Sequence, residues 1–112
     1  MNVQIFGRKK CFDTKKAERY FKERNIKFQY IDIDLKGLSK GELNSVKKNI
    51  SINDLINTKV KEYKSLNLDK IRSSEMKEEI LLNNPKVFNS PIVRNGNLST
   101  LGYKKEVWDN WE

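Results

Sequence analysis

The chain has 112 residues, 37% of them hydrophobic and 34% charged, which suits one small domain with a single modest core. It carries 23 Lys plus Arg against 15 Asp plus Glu, with one Cys and no His. Those counts exclude a Ser-His-Asp triad, a Cys-His pair, a His metal site, an internal disulfide and a CxxC zinc ribbon.

No apolar run approaches the roughly 18–20 residues that span a bilayer. The start, Met1–Phe6, is too short and too alternating for a signal peptide. With a single unpaired Cys, this makes a cytoplasmic location the expectation. The positive charge is mostly lysine, 18 Lys against 5 Arg, and Ile, Lys and Asn together supply 41 of the 112 residues. An AT-rich coding sequence produces such a composition by itself. Nucleic-acid readers show clustered Arg, stacking aromatics or a known module. Here Lys is interspersed with Glu and Asp, so no direct nucleic-acid site is expected. Only Arg8-Lys9-Lys10 and Lys15-Lys16 cluster, and they bracket Cys11.

In chain order, Val3, Ile5 and Phe6 form a short strand closed by Gly7. Cys11-Phe12-Asp13-Thr14 leads into a helix over Lys15–Arg24, where Ala17, Tyr20 and Phe21 fall at helical spacing. Thr14 suits the N-cap and Asn25 the C-terminus. Phe28, Tyr30, Ile31 and Ile33 predict a second strand within Lys27–Asp34. Strand, helix and strand in this order make a βαβ unit with parallel strands. Ser39-Lys40-Gly41-Glu42 fits a capping box with Leu38 and Leu43 as staple, and Ser51–Asp54 repeats it with Ile50 and Leu55. Helices are expected at about 39–48 and 52–57, then a short one over Val60–Ser65. Another starts at Ser73 or Ser74 and runs to Asn83, with Met76, Ile80 and Leu81 on one face. Pro91–Leu101 reads as a hairpin turning at Asn95-Gly96 in type I′ geometry. Val107, Trp108 and Trp111 put a final helix back on the core. Two parallel strands, a helical insertion at about 39–83, and an antiparallel hairpin make a four-stranded mixed α/β sheet. That is the thioredoxin-like, glutaredoxin-type layout, as one domain over 1–112.

Cys11 follows the first strand's turn and precedes the first helix. A helix N-terminus offers unpaired amides and about half a positive charge. Such a setting favours thiolate and lowers a thiol pKa from about 8.5 to roughly 3.5–7.5. The same position also suits an inert small residue filling a turn.

Several stretches together resemble the arsenate-reductase-like family (ArsC, with its Spx and YffB relatives). They are Gln4-Ile5-Phe6-Gly7, Cys11–Ala17, Phe28–Asp32, Asp54–Lys59, Tyr63-Lys64 to Leu68, Asn84-Pro85, Ser90–Val93 and Leu101–Trp108. The resemblance covers essentially the whole chain. It implies Cys11 as nucleophile and Pro91 as a cis-proline opposite it, turning the backbone of Ser90 towards the sulfur. The expected substrate-binding set is Lys10, Thr14, Lys15, Lys59, Ser90 and Pro91: the basic cluster with Lys10 and Lys15 favours the thiolate and an anionic substrate, and Lys59 helps if the insertion folds over the site. Two departures matter. Ser90 stands where the family's arsenate reductases have an arginine before the proline, and Lys59 stands for the arginine of the Asn-Thr-Arg segment. Lysine lacks the bidentate geometry of arginine, so arsenate is not the expected substrate. Thr14 replaces the second cysteine of the Spx Cys-x-x-Cys switch, so no internal dithiol can form.

The expected function is thus a thiol-dependent reductase with one nucleophilic cysteine and no bound cofactor. Glutathione, glutaredoxin, thioredoxin or another small thiol would resolve the adduct. The alternative is a Spx-like regulator binding the RNA polymerase α subunit, and a redox-inert descendant is a third reading. A monomer is expected.

Overall fold

The computed structural model describes residues 1–111. Its sheet has four strands in the order β2-β1-β3-β4. β1 (Val3–Gly7) is central, parallel to β2 (Phe28–Asp32) and antiparallel to β3 (Ile92–Asn95), which pairs antiparallel with β4 (Leu98–Leu101). Val3, Ile5 and Phe6 are all buried because β1 is covered on both faces. Val3 and Ile5 meet Ala17, Tyr20, Phe21 and Trp108, from α1 (Phe12–Glu23) and the closing helix. Phe6 and Ile92 face the other way, into a larger cluster with Leu38, Leu43, Leu55, Leu81 and Phe88.

That second layer holds α2 (Ile33–Lys36) and the helices of the insertion, α3 (Lys40–Val46), α4 (Ile52–Leu55), α5 (Lys61–Ser65) and α6 (Ser74–Asn83). The Ser39 capping box forms in both directions, and Ser51 and Ser73 accept from the amides of Asp54 and Met76. A 3-10 turn, Pro85–Val87, then leads into β3. The last helix is α7 (Lys105–Trp108).

Several local expectations are corrected. Ile33 opens α2 instead of ending β2, because the Asp32 carboxylate caps the amide of Asp34 and Ile33 turns into the core. α3 stops at Val46, and α4 stops at Leu55, because Ile56 leaves it to bridge Phe88. Met76 and Val107 are exposed; α6 buries Leu81 and α7 buries Trp108 instead. The hairpin loop is Gly96-Asn97, one residue later than read. Asn95 pairs with Leu98, and positive φ falls at Gly96 alone, as a type II′ turn requires. Asn25 does end α1: its φ is +56°, and Ile26 N–H donates to Phe21 O at 2.9 Å, closing a Schellman motif.

Candidate active site

α1 begins one turn earlier than its apolar spacing indicates, so Cys11 is its N-cap and Thr14 lies inside the helix. Thr14 is therefore not a cap. It is fully buried, and its hydroxyl accepts from Arg8 N–H at 3.3 Å. Gly7 allows this close approach: a Cβ there would stand 2.4 Å from Thr14 Cγ2. Cys11 N–H donates to Arg8 O at 3.0 Å, so residues 8–11 form a tight turn between β1 and α1.

The opposing wall comes from the far end of the chain. The Ser90–Pro91 peptide is cis, as the resemblance implies. The Cys11 thiol donates to the Ser90 carbonyl with sulfur and oxygen 3.6 Å apart. Asn89 fixes this wall to the insertion: its amide donates to Leu55 O, and its side chain to Asp54 O and Ile56 O.

Burial pushes the Cys11 pKa up, but hydrogen bonds outweigh it and the net effect is a lowered value. They come from the Ser90 and Thr14 side chains and from the amides of Thr14 and Asp13. Lys10 and Lys15 are exposed, and solvent and salt screen such charges. Donors from Ser90 across the cleft and from the start of α1 favour the thiolate, therefore, rather than the basic cluster seen in the sequence.

Cys11 opens on a cleft of about 340 Å³ shared with Arg8, Lys10, Asn57, Val60, Lys86, Asn89 and Ser90. Of the expected set, Cys11, Lys10 and Ser90 line it. Pro91 is buried behind Ser90, and Thr14 is buried beside the sulfur. Lys15 and Lys59 are exposed and do not line the cleft. Beside Lys59, the Asn57 side chain folds back to accept from its amide. Arg94 does not line it either; it lies on β3 opposite Gln4 and Ser99. Arg8, Asn57, Val60, Lys86 and Asn89 line the cleft without having been in the expected set. Lys86 and Val60 carry no local signal, although Asn89 directly precedes the Ser-Pro pair. A larger cleft, about 450 Å³ between Asn49, Ser99 and Lys104, does not include Cys11. Among the described residues no three His, Cys, Asp or Glu side chains gather as a metal site, and no helix is long and apolar enough to cross a membrane.

This sheet order, with helices on both faces and a single cysteine at the first helix start, defines a thioredoxin-like fold. The glutaredoxin-like protein NrdH-redoxin of Escherichia coli shares it, with a TM-score of 0.51 at 16% identity over 100% of this chain and 96% of that one. The chain belongs to the ArsC family, whose model matches residues 6–111. An ArsC-family-related protein of Bacteroides fragilis has the same fold, with a TM-score of 0.87 at 22% identity over 100% of this chain and 98% of that one. In sequence the chain is 27% identical over 110 residues to the global transcriptional regulator Spx 2 of Oceanobacillus iheyensis, spanning 95% of this chain and 80% of that protein.

Proposed function

We propose that the protein is a thiol-dependent reductase with Cys11 as its nucleophile. What supports this reading is the setting of the sulfur: it faces Ser90 at the edge of an open cleft, and its pKa is lowered. Thiolate is the attacking form. In the proposed cycle the Cys11 thiolate attacks one sulfur of a disulfide-bearing substrate. A Cys11–substrate S–S bond forms as the substrate's own S–S bond breaks, and the leaving half departs as a thiolate that takes a proton from water. An external thiolate then attacks the substrate-side sulfur of the mixed disulfide, and Cys11 leaves as thiolate again. The external thiol supplies the electron pair and ends joined to the substrate half. It must come from outside, from glutathione, glutaredoxin, thioredoxin or another small thiol, because the chain has one cysteine.

Ser90 and Pro91 present the backbone against which a substrate strand can lie, and the Lys10 and Lys86 ammonium groups favour anionic substrates. Thr14 acts on the sulfur from inside the helix without touching substrate. Lys15 and Lys59 add only long-range charge. The cycle uses no bound cofactor and suits a monomer in the reducing cytoplasm. The test is to mix the reduced protein with a glutathione mixed disulfide. Intact mass should show one glutathionyl group on Cys11, removed by added glutathione with turnover, and Cys11→Ser should lose both. Equal turnover by Cys11→Ser would exclude this nucleophile.

The similarity to Spx 2 favours a second reading, a regulator binding the RNA polymerase α subunit. Capture by the α C-terminal domain that Cys11→Ser leaves unchanged, with no thiol turnover, would select it.

A further inference from the structure

Arg8 reads in the sequence as one more surface cation, yet its side chain is mostly buried and ties separate segments together. Nε donates to Asp34 Oδ1 at 2.9 Å, Nη1 to Phe88 O at 2.7 Å and Nη2 to Pro85 O at 2.9 Å. Its backbone carbonyl accepts from Cys11, and its amide donates to Thr14. One residue thus joins the cysteine turn, α1, α2 and the segment that ends in Ser90.

Among the described residues, three hydrogen bonds are donated from residues 8–11 to residues 85–90. Two come from the Arg8 guanidinium, and the third is the thiol's own bond to Ser90 O. The third needs the thiol proton. When Cys11 ionises it has nothing to donate; the Ser90 hydroxyl then donates to the sulfur, and the two bonds from Arg8 hold the segment that carries it. Three acceptors in different directions suit a planar fork of donors, which the single ammonium of lysine cannot copy.

We infer that Arg8 is a positioning residue for the nucleophile: its guanidinium holds the 85–90 segment against the cysteine turn, and so keeps Ser90 beside the sulfur after ionisation. The inference rests on the reading of Cys11 as the reacting group. Other ionisable groups also face this region. Lys10 and Lys86 stand on the cleft walls, Asp13 on α1, Tyr30 on β2, and Asp34 on α2 paired with Arg8.

The experiment is the pH profile of Cys11 alkylation by iodoacetamide, in the wild type and in Arg8→Met, Arg8→Lys and Asp34→Asn. Each is measured well below its own melting temperature. Arg8→Met should raise the midpoint by about one unit, a roughly tenfold lower rate at pH values below both midpoints. Arg8→Lys keeps the charge and should recover only part of this, whereas Asp34→Asn leaves both carbonyl bonds and should stay near wild type. Full recovery by Arg8→Lys would mean that charge alone matters and would overturn the clamp. A lowered melting temperature with an unchanged midpoint would also overturn it, reducing Arg8 to a structural tie. If Arg8→Met fails to fold, Arg8→Lys decides by the same criterion. A wild-type midpoint at the ordinary thiol value would instead remove the nucleophile reading, and this inference with it.

Discussion

The Cys11 sulfur and the Ser90 carbonyl oxygen lie 3.6 Å apart, although 79 residues separate them in the chain. The sheet register causes this. Phe6 near the end of β1 lies opposite Ile92 at the start of β3, so the turn after one strand meets the approach to the other. A thiol at a helix start and the backbone that faces it are thus brought together by one strand pairing.

The first prediction concerns the thiol. With the Cys11 pKa lowered in the folded state, the alkylation midpoint should fall below the ordinary value of about 8.5. Ser90→Ala removes a donor that stabilises the thiolate and should move the midpoint up. Because the folded value is depressed, ionisation adds stability that is fully present above the unfolded thiol's pKa. That stability is lost as pH falls through the folded one. Urea unfolding of wild type against Cys11→Ser, across that window, should show the difference growing with pH.

The contact between Gly7 and Thr14 gives the second. A methyl group on Gly7 would overlap Thr14 Cγ2 at 2.4 Å and its hydroxyl at 2.7 Å. Gly7→Ala should therefore displace Thr14, break its bond from Arg8 N–H, and cost about 1–3 kcal/mol by overpacking. It should also slow Cys11 alkylation at neutral pH. Thr14→Ala in the same chain removes both overlapping atoms and should recover stability but not thiol reactivity. Chemical denaturation together with alkylation rates checks both.

Arsenate is the subject of the third. An oxyanion beside a thiolate must be held against like charge, and paired donors from a planar guanidinium do this well. At the cleft edge, Ser90 offers one hydroxyl, and the Arg8 fork is already engaged with Asp34, Phe88 and Pro85. Losing one charge-assisted contact costs roughly 1.5–3 kcal/mol, or about ten- to hundredfold. The native chain should turn over arsenate negligibly, and Ser90→Arg should gain oxyanion affinity by about that factor in a thiol-protection assay. Robust native turnover with glutathione and glutaredoxin, or with thioredoxin, would refute the argument.

The fourth tests the opposite face. The Tyr20 phenol donates to Asp109 and its ring packs on Phe21 and Trp108. Burial, aided by the Asp109 carboxylate, pushes its pKa up to about 12. The raised value means that its contribution is present below the ordinary phenol value of about 10 and is lost as pH rises through about 12. Tyr20→Phe should cost about 1 kcal/mol at neutral pH and remove a phenol that titrates at about 12, read by thermal melts and ultraviolet absorbance.

Local rules made much of this protein legible. The Ser39 capping box, the Asn25 stop, the apolar run of β1 and the Cys11 position at a helix start all depend on neighbours within a few residues. The errors begin where a distant partner competes. Ile33 and Ile56 leave their expected elements because the core and Phe88 claim them. Met76 and Val107 share apolar character with buried neighbours, yet helix rotation turned them to solvent. Periodicity alone fixed neither rotation.

Charge shows the same division most clearly. Arg8, Lys10, Lys15, Lys59 and Lys86 are equivalent as sequence letters. The strand pairing and the 3-10 turn bring Lys10 and Lys86 to the cleft, and leave Lys15 and Lys59 outside it. They commit Arg8 to two backbone carbonyls distant in the chain. Sequence by itself determined the elements, the single thiol and its helix-start chemistry, because those follow from short-range sterics and backbone hydrogen bonding. Which cations and which serine share space with that thiol was decided only by tertiary structure, because a side chain's partners depend on the strand register that joins the two ends of the chain.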